Sequence, residues 1–411
     1  MSAPTLLWLH IHQYEQFEDV RVRFSPRENL LLGVNGAGKT RLLKLIRAVM
    51  SLDFRDLLSR PFDVEFELLS AARGAAFNGV TVQMKGRVMN ASGQGTTENI
   101  ELQPPLELAA TLSYQSAEMT TLCEVRGNEY ICHQGEPPKE VARGFLTRPG
   151  SLVLDRRPFL KAYPHLRANY LGESDYEFRA LTQSISFTAE NRRLSVAKVG
   201  EGAEHLGSSV LADLLPLIVY VVLESQEDFK GGVDLTSKEV DEPAFARVSA
   251  ALGASTVRLI PKIAREQGDQ FECRGIEVNV EFLDGTRLSE SELTFGQRRY
   301  LYAGIVFAFH PGAPVLVDEL DNGLHPRLVA TLLDLWRDRQ VFLVSHNKLV
   351  IDHTNFAGPE DVQDKIHIIR RGADGRQTIV ALDEAEAHEV YEKISVAIQS
   401  PSDVLRAEGL W

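Results

Sequence analysis

Residues 33–40 read Gly33-Val-Asn35-Gly36-Ala37-Gly38-Lys39-Thr40, the spacing G-x-x-x-x-G-K-[ST]. Glycines at those positions let successive amide N–H groups turn towards one anion, and a helix opening there adds the positive end of its dipole. The chemistry is triphosphate binding. The expected contacts run over Asn35, Gly36, Ala37, Gly38, Lys39, Thr40 and Arg41, with Lys39 reaching the β- and γ-phosphates and the Thr40 hydroxyl ligating Mg²⁺. A second group, Pro314-Val-Leu-Val317-Asp318-Glu319, is an apolar run ending in two carboxylates. Asp318 is expected to bind Mg²⁺ through water, and Glu319 to polarise the water that attacks the γ-phosphate. A third, Leu293-Thr294-Phe295-Gly296-Gln297, sets a hydroxyl and a glycine where a helix begins, a second anion site.

Those residues need strands that end, and helices that begin, in one place. Leu6–His12 is apolar and β-prone, and Val20, Val22 and Phe24 alternate with Arg21, Arg23 and Ser25, both reading as strands. Residues 29–33 form a short buried strand before the glycines, and Leu42, Leu45, Ile46 and Val49 share one face of a helix after them. Val64–Leu69 and Val80–Lys85 continue the strands; Thr111–Ser113 and Thr121–Val125 are β-prone. Helical spacing is expected for Leu206–Val222, for Phe245, Val248 and Leu252, and for Val257, Ile260 and Ile263. Ile276–Phe282 alternates as a strand before a turn at Asp284-Gly285, and a helix starts near Phe295. Val315–Val317 and Val341–Val344 are all-apolar and β-branched, as central parallel strands are. Ile366–Arg370 and Thr378–Ala381 flank a Gly372–Gly375 turn as a late hairpin.

The chain has 411 residues, 44 Lys+Arg against 57 Asp+Glu and a net charge of −13. Its 44% hydrophobic and 25% charged content is globular, which excludes disordered, collagenous and rod-like classes. The acidic balance restricts any nucleic-acid contact to a local basic patch. Three cysteines, Cys123, Cys132 and Cys273, cannot build a disulfide framework and fit a reducing cytoplasm. Cys132-His133 reads as structural. The first residues lack a signal peptide's pattern, and the longest apolar stretch, Val210–Leu223, is interrupted by Asp213 and Pro216. A cytoplasmic protein without a membrane partner is expected.

In their order these motifs resemble the ABC/SMC-like ATPases: SMC-type heads, RecF and the overcoming-lysogenization-defect proteins. Leu293–Gln297 resembles the family's signature, Leu320-Asp321-Asn322-Gly323-Leu324-His325-Pro326 its D-loop, and His346 its switch histidine. The resemblance covers residues 1–50 and 275–350. It implies an α/β fold, an ABC-type P-loop ATPase head with a mixed β-sheet and a large inserted, mainly helical lobe. The implied plan is a head in two parts, residues 1–105 and 272–411, with the lobe at 106–271. It also implies ATP and Mg²⁺ as ligands, and a homo-oligomer of at least two copies. Lys39, Thr40, Asp318, Glu319 and His346 would act in one subunit, with Thr294, Gly296, Gln297 and Asp321 reaching the neighbour's nucleotide. Tyr14 or Phe17 could flank the base, and Gln83 or Gln183 could fill the Q-loop; each also suits an ordinary core or surface role.

From Thr40 to Thr294 is 254 residues, long for a transporter subunit and lacking the heptads of SMC arms. After His346 65 residues remain, too few for a Toprim nuclease of the overcoming-lysogenization-defect type, and no H-E-x-x-H, zinc-cluster or His-Asn-His nuclease pattern occurs. The chain therefore resembles stand-alone ATPases of bacterial phage-defence pairs. Residues 295–301, 318–326 and 405–411 look most like the AriA-type component of PARIS systems. That resemblance implies a sensor scaffold, hexameric in the family, which holds a separate Toprim tRNA nuclease until a phage protein triggers release. Two alternatives stand beside it: a Septu-type ATPase paired with an HNH nuclease, and a RecF-like DNA-binding ATPase in repair. The last would draw on Arg143, Arg148, Arg156-Arg157 and Arg192-Arg193.

Overall fold

In the computed structural model of the chain, alternation makes the first hairpin. β1 (Thr5–Tyr14) and β2 (Phe17–Arg23) pair antiparallel, burying Leu9, Ile11, Val20 and Val22 while Glu18, Arg21 and Arg23 face solvent. The structure describes residues 5–51, 54, 57, 59–71, 81–90, 106–115, 120–126, 129–134, 169–171, 185–190, 193–199, 233–234, 242–265, 270–309, 314–319, 323–396 and 400–410. After β3 (Glu28–Leu32) and helix α1 (Lys39–Ser51) come β4 (Phe62–Ala71), β5 (Thr81–Asn90), β6 (Leu106–Gln115), β7 (Thr120–Arg126) and β8 (Glu129–Gln134). Next are β9 (Asn169–Leu171), β10 (Ile185–Glu190), β11 (Arg193–Val199), β12 (Val233–Asp234), α2 (Glu242–Leu252), β13 (Ala254–Arg265), β14 (Gln270–Phe282), β15 (Arg287–Ser289) and α3 (Phe295–Phe309). The chain closes with β16 (Val315–Asp318), α4 (Pro326–Trp336), β17 (Val341–Val344), α5 (Lys348–Asp352), α6 (Pro359–Lys365), β18 (Ile366–Arg371), β19 (Gln377–Ala381), α7 (Glu384–Val396) and α8 (Pro401–Ala407).

Two units divide these elements: Met1–Ala168, Gly312–Asp318 and Trp336–Trp411 form the first, Asn169–Pro311 and Glu319–Leu335 the second. In the first, one mixed sheet runs β8-β7-β6-β5-β4-β1-β2-β19-β18-β3-β17-β16. The strands from β8 to β2 pair antiparallel, whereas β18, β3, β17 and β16 are parallel neighbours. Consecutive buried residues fill the parallel strands, as burial on both faces requires: Leu30–Leu32, Val315–Val317 and Val341–Val344. Helix α1 buries Leu42, Leu45, Ile46 and Val49, which are fully inaccessible. Two buried amides knit this core. Gln340 Nε2 donates to the Leu6 and Ser25 carbonyls, and Asn29 Nδ2 donates to those of Ser25 and Val341.

In the second unit the sheet runs β11-β10-β14-β13-β12, with β15 pairing β14. Helix α2 packs on α3 closely enough that a Cβ on Gly304 would overlap Val248. Residues Tyr300–Ala303 and Ile305 are all buried, so the middle of α3 is covered on every side.

The α/β fold with a mixed sheet is the one expected, but the inserted region differs. Residues 106–134 are strands of the first unit's sheet; β5 and β6 pair over ten residues, Thr81↔Gln115 to Asn90↔Leu106. The expected junction at 271/272 falls inside β14. The described residues from 106 to 271 are strands and the helix α2, and most of residues 135–241, where the mainly helical lobe is expected, lie outside the described residues. The spacing of three at Val257, Ile260 and Ile263 belongs to β13, where a register shift between Pro261 and Ile263 adds a residue and displaces the alternation. Leu206–Val222 lies outside the described residues.

Candidate functional site

The carboxyl ends of β3, β17 and β16 lie along one edge of the first unit's sheet. Leu343 is in register with Leu30, and Val344 with Asp318. Consequently the glycine loop after β3, the Ser345-His346 segment after β17 and the Asp318 carboxylate after β16 share that edge, where parallel sheets bind ligands.

The loop itself is over-determined. Gly33, Gly36 and Gly38 all have positive φ, at 148°, 77° and 102°. A Cβ on Gly33 would overlap the Ile369 carbonyl oxygen of β18, and one on Gly38 would stand 2.5 Å from Gln377 Oε1. Nothing lies within 4 Å of the position a Gly36 Cβ would take, so there glycine answers to backbone conformation alone. The chain enters α1 at Lys39, whose first-turn amides have no carbonyl behind them within the helix. The Lys39 side chain is 7% exposed and its Nζ donates to the Gly33 and Val34 carbonyls, at 2.7 and 3.1 Å. The ammonium is thus folded over the loop, a donor set suited to phosphate oxygens. Asn35, Gly36, Thr40 and Arg41 are exposed on this loop, while Ala37 is buried beneath it. The Thr40 hydroxyl and the half-buried Asp318 carboxylate supply the hard oxygen ligands that Mg²⁺ takes.

Glu319 is exposed and has φ 53°, one of three described non-glycine residues in the left-handed region. Its carbonyl accepts a hydrogen bond from Nη2 of the buried Arg299, at 2.8 Å. A glutamate held there costs about 1 kcal/mol of backbone strain, which commonly marks a functional position. His346 is exposed, and the buried Ser345 beside it accepts the Asn347 amide on its Oγ at 2.9 Å.

Thr294 caps α3. Its Oγ1 accepts from the Gln297 amide at 3.3 Å and donates to Gln297 Oε1 at 3.0 Å, while its own amide donates to the same Oε1 at 2.9 Å. Gly296 is needed for close approach: a Cβ would overlap the Gly323 carbonyl, and one on Gly323 would stand against the Phe295 ring. The helix that opens at residue 295 and the loop ending at Gly323 therefore touch backbone to backbone within the second unit. Asp321 lies outside the described residues.

Sequence reasoning missed two features around the glycine loop. One is Gln377, 1% exposed on β19, whose carboxamide covers Gly38 and whose Oε1 has no hydrogen-bond partner. Its place opposite Phe17 comes from the β2–β19 pairing, for which a short hairpin carries no local signal. The other is the β1–β2 turn. Glu15, at φ 52°, pairs with Arg41 at 2.7 Å and with Arg60, and Arg41 also bonds Gln16. Tyr14 and Phe17, weighed for the base, are core residues; burial pushes the Tyr14 hydroxyl up to about 12 despite the two arginines. Gln83 is bonded to Glu67, and Gln183 lies outside the described residues.

The family model described as "AAA domain, putative AbiEii toxin, Type IV TA system" matches residues 163–352, a span that takes in Thr294, Asp318, Glu319 and His346 but not the glycine loop. Two curated proteins, each a DNA replication and repair protein RecF, from Limosilactobacillus reuteri strains DSM 20016 and JCM 1112, are 24% identical over 230 residues. That is 54% of this chain and 52% of each relative, so the chain spans about half the length of the curated relatives it matches. An Smc head bound to the C-winged helix domain of ScpA aligns at a TM-score of 0.44 and 14% identity, covering 93% of this chain and 99% of that one. An Smc head with an extended coiled coil, derived from Pyrococcus furiosus, aligns at 0.41 and 15%, covering 95% and 100%. The chain's own strand order and glycine loop make it a mixed α/β P-loop fold, similar over part of its length to the AAA-domain family and to RecF.

Proposed function

We propose that this chain binds and hydrolyses ATP, clasped between two copies of itself, and that it serves as the sensor scaffold of a phage-defence complex. The observation that carries the nucleotide reading is the shared strand edge: a glycine cradle closed by the Lys39 ammonium, with Asp318 and His346 on the same edge. Lys39 binds and orients the β- and γ-phosphates. Glu319 holds the attacking water and takes up its proton, and His346 donates to the γ-phosphate. Mg²⁺ on Thr40 and Asp318 would neutralise charge on the bridging phosphate oxygens.

Two exposed apolar residues favour a clasp between copies. Val34, in the glycine loop, is 71% exposed, and Phe295, beside Thr294, is 42% exposed. Apolar side chains left open at both anion-binding elements suit surfaces that meet in an oligomer. Thr294, Gly296, Gln297 and Asp321 would then complete the neighbour's site. The matched family's toxin–antitoxin description favours control of a separate nuclease or toxin subunit, released when a phage trigger protein arrives. The RecF similarity favours the second reading, a DNA-binding ATPase in repair.

Lys39→Ala is expected to lose nucleotide binding. Glu319→Gln is expected to bind ATP, turn over slowly and accumulate as a dimer or larger assembly by light scattering. Undiminished turnover by a strict monomer refutes the clasp. Tight, ATP-dependent and salt-sensitive duplex binding would favour repair over the defence role.

A further inference from the structure

A cluster remote in sequence from every motif above stands on the solvent side of β1, β2 and β4. Leu9 and Ile11 point into the core, so the alternating His10 and His12 present their imidazoles on the opposite face, with ring centroids 4.0 Å apart. Register places Ile11 opposite Val20 and Gln13 opposite Glu18, which brackets His12 against Asp19. Asp19 takes a left-handed backbone, φ 51°, as Glu15 and Glu319 do. From the other side, β4 sets Glu65 opposite His10.

We propose that His10, His12 and Asp19, flanked by Glu65, form a binding site for a divalent transition-metal ion of the Zn²⁺ class. The ligating atoms of His10, His12 and Asp19 all lie within 4.8 Å of one another. His10 Nε2 is 2.8 Å from Asp19 Oδ1, and His12 Nε2 is 3.2 Å from Glu65 Oε1. A tetrahedral ion with bonds of about 2.0–2.1 Å spaces its ligands roughly 3.3–3.5 Å apart, so small side-chain shifts would bring the three atoms onto it. His12 Nε2 is buried and makes no hydrogen bond of acceptable geometry, even with Glu65 nearby. Coordination would satisfy it.

The donor chemistry selects the ion. Two imidazoles and a carboxylate suit Zn²⁺, Co²⁺ or Ni²⁺ rather than Mg²⁺ or Ca²⁺. Arg87, the nearby cation, is held chiefly by Asp63 and also pairs with Glu65 Oε1. It pairs with Asp63 through two bonds, at 2.9 and 2.6 Å, and its bond holds that carboxyl below the usual range, whereas it stands 3.5 Å from Glu65. Three protein ligands from two strands leave a fourth position for water or for the flanking Glu65 carboxylate. The ion would brace the hairpin whose turn, three residues beyond His12, carries Glu15 onto Arg41 beside Thr40.

The test strips the full chain with EDTA and titrates it with Zn²⁺ by calorimetry, without nucleotide. Co²⁺ is added in parallel to read the visible absorption of a tetrahedral site. One equivalent per chain is expected, with His10→Ala or His12→Ala weakening affinity at least tenfold and removing the Co²⁺ bands. Asp318→Asn is expected to leave both readings unchanged. His12→Gln replaces the alanine variant should that fail to fold, and X-ray absorption on the Co²⁺-loaded wild-type chain should show scattering from two imidazoles. The proposal is overturned if the wild-type chain shows no saturable binding, if the histidine variants bind as tightly as wild type, or if the absorption spectrum lacks imidazole.

Discussion

His367 allows a stability claim to be worked from geometry. It is fully buried on β18, Phe24 packs edge-on against its ring, and its Nε2 meets Asn29 Oδ1 at 3.1 Å. That oxygen accepts, so Nε2 carries the proton; Nδ1 has no partner. Burial lowers the imidazole from 6.5 to about 4, because the charged form has lost its water and gained no counter-ion. The sign follows directly. Between those values the unfolded chain is protonated at this residue and the folded chain is not. Stability contributed by the neutral imidazole is therefore complete above pH 6.5 and drains away as pH falls towards 4. The loss is about 2 kcal/mol at pH 5 and about 3 kcal/mol at pH 4. Urea unfolding of wild type and His367→Gln, followed by the fluorescence of Trp8 and Trp336 in the first unit, isolates the term. The variant is expected to be less stable at pH 7 and to lose about 2 kcal/mol less than wild type between pH 7 and pH 5. Parallel pH profiles for the two proteins, or a titration near 6.5 by NMR of the imidazole whose signal is lost in His367→Gln, would refute the reasoning.

Three further outcomes can be measured together. Gly33→Ala drives a Cβ into the Ile369 carbonyl and should cost about 2–4 kcal/mol, whereas Gly36→Ala meets open space and should cost about 1 kcal/mol from its positive φ alone; thermal melts of the pair separate overlap from strain. Glu319→Asn suits the left-handed backbone better than glutamate, so the melting temperature should hold or rise while ATP turnover falls at least a hundredfold, a split that calorimetry and a phosphate-release assay would expose. Lys365, buried with its Nζ on the Asn355 carbonyl at 2.6 Å and Asp361 at 3.0 Å, also stands 3.6 Å from Glu28. Lys365→Met strands those acceptors and should cost about 1–3 kcal/mol by urea denaturation, less than a fully enclosed pair because Asp361 is partly in water.

What could be read from the sequence was whatever one segment decides alone. The glycine loop, the strand before it, the apolar face of α1, the all-apolar strands and the β18–β19 hairpin each depend on one short continuous segment, and each was legible. Thr294 and Gln297 likewise announce a helix cap. Partnership between distant segments was not legible. β6 pairs with β5 across residues 91–105, and no property of either strand says that the partner belongs to the glycine-loop sheet and not to an inserted lobe. At β13 a locally visible signal was outweighed: apolar spacing of three suggested a helix, although Pro261 stands in the middle and is poorly tolerated in a helix interior. The cluster on β1 and β2 escapes pattern search for the same reason, since Asp19 meets the two histidines only through the register of the pair.

The same distinction explains how the site is held. Three of the candidate elements are fixed, each inside its own unit, by contacts made through backbone atoms: Gly33 against the Ile369 carbonyl in the first, and in the second Gly296 against the Gly323 carbonyl and Glu319 through its own carbonyl to Arg299. Backbone contacts of this kind admit few substitutions and few alternative positions, so the groups that would touch phosphate are placed by parts of the chain that carry no chemistry of their own. The side chains that would do chemistry, Thr40, Glu319 and His346, are by contrast exposed. Rigid backbone beneath open polar side chains is the arrangement expected of a surface that acts only when something closes over it. It follows that substitutions at Gly33 or Gly296 should reduce stability and activity together, whereas those at Glu319 or His346 should spare the fold. If changes at all four positions lowered the melting point alike, the separation of scaffold from chemistry argued here would be wrong.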